Sequence, residues 1–389
     1  MRKALLLLGI LAFDTGVYLK AIDSTREAAP PPSSLVVLGY NDLGMHCMNE
    51  DFSEICVLPP ANTLRAQVID TTGEDPRIVK KGVSIRYSIP GNTISSTKTN
   101  FWQYAQRLFG VNLPANVGLF GYRMSGIMRP TEAGDFAAYG IPITPITDAG
   151  VFDPYQLARI TARTERGSGS TEAVVPVSWE MRCDTCHTTP GISVATDILR
   201  KHDQMHGTTL ESQKPVLCAR CHADPAIGAP GSPGVSNLSA AMHGAHAGRM
   251  GSIPRKDMCY SCHPGPQTQC LRDVHKTGGM DCVSCHGGMA AVASPARRPW
   301  QDEPKCGDCH NVPGHEYEQP GVLFRDSVGH HGVKCIACHG SPHAIAPSEN
   351  PRDNKQAIAL QGYAGTIDKC TVCHKTQPHE PFDHKRDDD

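Results

Sequence analysis

The sequence predicts a multidomain chain: a small, mostly-β, sandwich-like domain over residues 35–182, then a domain of short helices and coil over 183–389, packed around something other than its own side chains. Three observations carry this. Short β-like runs crowd the first part. The composition changes abruptly at Cys183, after which Cys and His recur at short intervals. The apolar supply is thin, with 39% hydrophobic and 6% aromatic residues against 37 Gly and 31 Pro in 389 positions. That is too little for a chain of this size to fill its own core.

Taken in order, residues 1–30 open on two basic residues and an apolar run from Ala4 to Phe13 closed by Asp14. Ten apolar residues fall short of the ~20 that span a bilayer, and the pattern fits a secretory export segment. The expectation is an exported protein with no transmembrane span in the mature chain. A Pro-rich linker at Pro30–Pro32 follows. The runs 35–40, 63–69, 83–89, 155–163 and 173–181 alternate or are β-branched, with turn residues between most of them, and suggest an antiparallel sandwich. Residues 101–110 read as a short helix. The net charge of −2, from 37 basic and 39 acidic side chains, argues against a nucleic-acid partner.

From Cys183 onward a CxxCH pentapeptide occurs seven times: Cys183, Cys186 and His187; Cys218, Cys221 and His222; Cys259, Cys262 and His263; Cys282, Cys285 and His286; Cys306, Cys309 and His310; Cys335, Cys338 and His339; Cys370, Cys373 and His374. The starts lie 35, 41, 23, 24, 29 and 35 residues apart, too irregular for a solenoid. Two thiols at this spacing can add to the two vinyl groups of one porphyrin, and the adjacent imidazole then ligates iron from the proximal side. Zinc ribbons and disulfide scaffolds have no use for a fifth-position His repeated seven times. The expected cofactor is haem c, seven copies, covalently held. Residues 183–389 then supply about 30 residues per porphyrin, and the porphyrins supply the missing buried surface, giving a haem-packed domain.

Twelve further His remain. Nine crowd among the motifs as distal-ligand candidates: His202, His206, His243, His246, His275, His330, His331, His343 and His379. His315 and His384 are poorer candidates, and His46 lies far upstream. Met205, Met242, Met250, Met258 and Met280 are alternatives that would raise a haem's potential, although Met is chiefly filler here. Bis-His iron has no vacant position, which favours electron transfer over catalysis. Loops this short between motifs predict a near-continuous haem wire.

The flanking segments 259–270, 275–289 and 330–343, with the seven motifs, give 183–389 a resemblance to the multihaem c-type cytochromes of bacterial respiration, including those of extracellular electron transfer. The resemblance implies periplasmic or cell-surface placement, bis-His haems in stacked and T-shaped pairs, redox partner proteins or an extracellular terminal electron acceptor, and in some relatives assembly into filaments. It also implies a second reading, a multihaem oxidoreductase acting on N- or S-oxyanions through one open haem. Cytochrome nitrite reductases carry a Lys-ended motif, whereas all seven here end in His. Hydroxylamine oxidoreductase-like and tetrathionate reductase-like enzymes usually carry eight haems.

Three cysteines are left over. Cys47 and Cys56 are expected to form a disulfide in an oxidising compartment. The alternatives are a copper site at Met45, His46, Cys47 and Met48, or His46 reaching a haem. Cys270 stays open between free thiol, interchain bridge and special ligand. Residues 35–182 show no catalytic constellation and read as a docking module or as a shield for the first haem.

Overall fold

Alternation of apolar residues builds the first part of the chain. In the computed structural model, which describes residues 34–313, 315 and 317–378, eight strands build the greater part of two sheets before Cys183, with further two-residue strands beside them. The eight are β1 (Leu35–Tyr40), β2 (Asn62–Asp70), β3 (Ser84–Ser88), β4 (Ser125–Ile127), β5 (Arg129–Pro130), β6 (Phe136–Ile141), β7 (Tyr155–Thr164) and β8 (Gly167–Ser178). The export segment, His379 and His384 lie outside the described residues.

One sheet runs β1–β2–β6–β5 and the other β8–β7–β3–β4, and these pairs are antiparallel, as the runs predict. The long β7–β8 hairpin sets Ala158 opposite Ala173 and Ile160 opposite Thr171. A single buried cluster draws Leu35, Val37, Leu64 and Val68 from the first sheet and Ile85, Ile160, Val175 and Val177 from the second. The helix α1 (Phe101–Phe109) adds Phe101, Ala105 and Leu108 and ends on Gly110 in the left-handed conformation. Gly39 marks a close approach of the sheets: a Cβ there would lie 2.5 Å from Ile160 Cδ1.

Strand β1 is buried on both faces. Leu35 and Val37 face the shared core, while Val36, Leu38 and Tyr40 pack with Ile336 and Ala337 of the sixth motif. Period-two geometry produces this division. Polar ties follow the same seam. Buried Gln67 donates to Gly332 O at 3.1 Å and accepts from Lys334 N at 2.8 Å. Arg65, 3% exposed, pairs with Asp135 at 2.7 Å and Asp326 at 2.8 Å, and Tyr40 donates to Asp135 at 2.8 Å. From Ser34 on, the described residues form one compact unit.

Beyond Cys183 the structure is short helices, turns and coil. The longest helices are α2 (Val194–His206), capped by Ser193, and α3 (Leu238–Ala247), capped by Asn237. Among the described residues no helix is long and apolar enough to cross a membrane.

Candidate cofactor and metal sites

Each CxxCH segment folds as a single helical turn. In the first, the His187 amide donates to Cys183 O at 3.0 Å. The second, third, fifth and seventh repeat the bond at 2.8 to 3.1 Å, and the fourth and sixth are five-residue helices, Cys282–His286 and Cys335–His339. Positions i, i+3 and i+4 share one face of such a turn, so both thiols and the imidazole of a motif project together. All the motif thiols are free.

The imidazoles meet in twos. His187 faces His246 with ring centres 6.3 Å apart, His222 faces His202 at 6.3 Å, and His263 faces His243 at 6.1 Å. His286 faces His343 at 5.9 Å, His310 faces His275 at 6.1 Å, and His374 faces His330 at 6.0 Å. Every one of these pairs joins a motif His to a His outside the motifs. His202 and His206, a turn apart on α2, sit closer, at 4.8 Å and tilted by 52°. Two imidazoles ligating one metal from opposite sides, each nitrogen at about 2.0–2.1 Å and each ring centre roughly 1.1 Å further out, place the centres about 6.2 Å apart. The observed spacings match that figure.

Seven of the twelve paired imidazoles are held through Nδ1. Nδ1 of His222 lies 2.8 Å from Ser236 O, that of His243 2.8 Å from Ser239 O, and that of His246 2.6 Å from Met242 O. His202 meets Thr208 Oγ1 at 2.9 Å, His187 meets Asp197 Oδ2 at 3.2 Å, and His275 meets Asp273 Oδ2 at 3.3 Å. His343 meets the sulfur of Cys270 at 3.4 Å. Anchoring of one ring nitrogen by a carboxylate or carbonyl is how metal-binding histidines are oriented. Burial, then neighbouring His rings, pushes His263 down to about 4, and burial followed by His343 does the same to His286. Both rings are therefore neutral at pH 7, the ligating form. His263 is nonetheless exposed to solvent, which lowers the cost of charging it. Beside Cys285 and His286 an open cleft of ≈ 560 Å³ is lined by Ala291, Arg297 and Pro304, within the ~300–1,000 Å³ of cofactor sites.

Successive motifs are neighbours through their cysteines. The Cys259 and Cys282 thiols hydrogen-bond. Cys218 lies near Cys183, Cys183 near Cys262, Cys285 near Cys309, Cys306 near Cys335, and Cys338 near Cys373, each neighbour helping to hold the other thiol neutral. In space the motifs therefore follow the order two, one, three, four, five, six, seven. Helix α3 links the first and third, because His246 and His243 lie one turn apart and serve both. Arg255, bonded to Asp281 at 3.0 and 3.1 Å, ties the third to the fourth.

Among the candidates, the His206 ring lies beside His202 and the His331 ring beside His330, with centres 4.8 and 5.2 Å apart, and His315 is exposed. His46 is buried with Nε2 3.0 Å from Asn41 Oδ1 and 3.3 Å from Asp42. The disulfide expectation for Cys47 and Cys56 is corrected. Both are free thiols on separate two-residue strands, one paired with Val177–Ser178 and the other with Val216–Leu217. Burial, then Cys270 and Glu180, pushes the Cys47 thiol up to about 12. Met48 belongs to the apolar core, which leaves GMHCM no convergent ligand set. Among the described residues no three His, Cys, Asp or Glu side chains converge on one point as a metal cage.

Fold and site together define a β-sheet protein with a motif-bearing second half whose imidazoles are paired at metal-bridging distance. Comparison takes the identification no further: no family model, no curated protein and no solved structure matches the chain.

Proposed function

We propose that this chain is an exported multihaem c-type cytochrome that transfers electrons along seven covalently attached, mostly bis-His haems. The observation that carries the proposal is the set of six motif histidines, each opposed by one non-motif histidine at 5.9 to 6.3 Å. Porphyrin iron held this way is a one-electron carrier whose ligation is the same in both oxidation states. The paired cysteines of each motif hold the porphyrin edge. The motif His and its partner would hold the iron between them, and the Nδ1 contacts would fix the orientation of those imidazoles. The neighbouring of successive motifs supports a relay without a gap, and the sheets cover the second and sixth motifs through Leu217, Ala219, Ile336 and Ala337. On this reading the second half is haem-packed, and the compartment is the periplasm or the cell surface. The partners are redox proteins or an extracellular acceptor, with a homo-oligomer or filament as one arrangement.

The test is the mass and spectrum of the purified chain. Acid-denatured protein should retain seven porphyrins, and the native protein should show low-spin Soret bands that carbon monoxide leaves unchanged. Protein without added porphyrin mass would overturn the proposal. One carbon monoxide-binding iron would favour the oxidoreductase reading instead.

A further inference from the structure

The anchors of the axial imidazoles are not alike in charge. His202, His222, His243 and His246 lean on a hydroxyl or on main-chain carbonyls, whereas His187 and His275 lean on carboxylates. Both carboxylates are covered, Asp197 at 2% and Asp273 at 3% exposure, although Asp197 lies just beneath the surface, where water screens it more. Neither can turn away. Asp197 uses Oδ1 to accept from Thr189 at 2.8 Å and Lys201 at 2.7 Å, which leaves Oδ2 for His187. Asp273 uses Oδ1 to accept from the His275 and Lys276 amides at 2.9 and 3.1 Å, which leaves Oδ2 for His275.

The ordinary roles of these residues do not call for that second contact. Asp273 caps the Val274–Thr277 turn, and Asn or Ser would cap it as well. Asp197 lies in the first turn of α2, where an acid suits the helix dipole, yet Ser193 already caps that helix and the free oxygen points at the His187 ring. A carboxylate accepting from Nδ1–H draws the proton away from the ring. The ring then donates more strongly through Nε2, and a stronger donor favours ferric over ferrous iron.

We infer that Asp197 and Asp273 are positioning residues that set low reduction potentials at the first and fifth motifs. The inference rests on the haem reading above. Lys201 partly neutralises Asp197, so the effect is larger at Asp273.

The experiment is a potentiometric titration of the full-length holoprotein, read at the α-band, for wild type, Asp273→Asn, Asp273→Glu and Asp197→Asn. Asn keeps the Oδ1 acceptor that closes the Asp273 cap but sets an amide NH2 donor against the ring Nδ1–H, so it removes both the charge and the hydrogen bond to the imidazole. Asp273→Asn should move one-seventh of the reduction amplitude to more positive potential. Asp197→Asn should move a like fraction by less, and Asp273→Glu should follow wild type. Low-temperature EPR of the ferric protein gives a second readout, since one of seven low-spin signals should change its g-values in each Asn variant. Variants that carry seven porphyrins and titrate on the wild-type curve would overturn the inference alone. A wild-type chain without porphyrin would overturn the haem reading beneath it.

Discussion

Among the described residues, Cys270 is the cysteine outside the motifs whose sulfur meets a paired imidazole, 3.4 Å from His343 Nδ1. The His343 ring, then Arg272, holds the thiol below its ordinary range against the opposing effect of burial, and Cys270 in turn raises His343. Sulfur accepts weakly from an N–H, so its role is to aim His343 at His286. This separates two variants. Replacing His343 with Ala should free one axial position of the fourth motif, and one iron in seven should turn high-spin and bind carbon monoxide. Replacing Cys270 with Ser should leave all seven low-spin. Carbon monoxide uptake equal to wild type in His343→Ala would remove His343 from the ligand set. Residue type made the candidate ligands legible in the sequence, but their pairing was not. His343 stands four residues after His339 yet faces His286, and His275 stands just before the fourth motif yet faces the fifth. A ligand's partner is fixed by tertiary contacts, which local spacing does not encode. The same limit applied to Cys47 and Cys56, close in sequence and paired to different strands.

At the scale of elements, strand β1 joins the two parts of the molecule by being buried on both faces. Ile336→Ala would open a cavity beneath Val36 and Leu38 and should cost about 2–5 kcal/mol. Arg65→Ala would leave Asp135 buried with only Tyr40 and Thr131 as partners; breaking such a pair costs about 3–5 kcal/mol. Both are read by denaturant unfolding, and a loss below ~1 kcal/mol in either would mean the seam tolerates opening. A smaller, pH-dependent contribution comes from Asp148. Burial would raise its carboxyl, but hydrogen bonds from Lys98 and Thr93 outweigh this and bring it to about 2. A folded value below the unfolded ~3.9 stabilises above that pH and is lost as pH falls toward 2. The pair is partly exposed, so the effect should stay below about 1 kcal/mol and vanish in Asp148→Asn. The long alternating strands and helix α1 were legible because each shows a full period of pattern. Strand β6, reading FAAYGI, was not, since its Ala and Gly carry little β preference and only the partner β2 makes it a strand. Two-residue strands such as His46–Cys47 offer no period at all.

The whole molecule divides its apolar supply unevenly. Most fully buried hydrophobic side chains precede Cys183; after it the core residues are few, among them Leu199, Leu217, Leu238, Met250, Ile336 and Ala344. Folding fixes backbone at roughly 1–2 kcal/mol per residue, and residues so weakly supplied cannot offset that with their own side chains. On the proposed reading, the porphyrins supply the difference, so attachment and folding of the second half are one event. The two sheets have their own shared core and need no such help. Chain produced without haem attachment should therefore show amide protection over β2, β3, β7 and β8 and fast exchange over 183–378 by hydrogen-exchange mass spectrometry, while holoprotein is protected in both. Strand β1 should fall between, because Leu35 and Val37 keep the core while Val36 and Leu38 lose Ile336 and Ala337. Equal protection of 183–378 with and without porphyrin would show that the coil holds itself together, and would leave the thin apolar composition without its explanation.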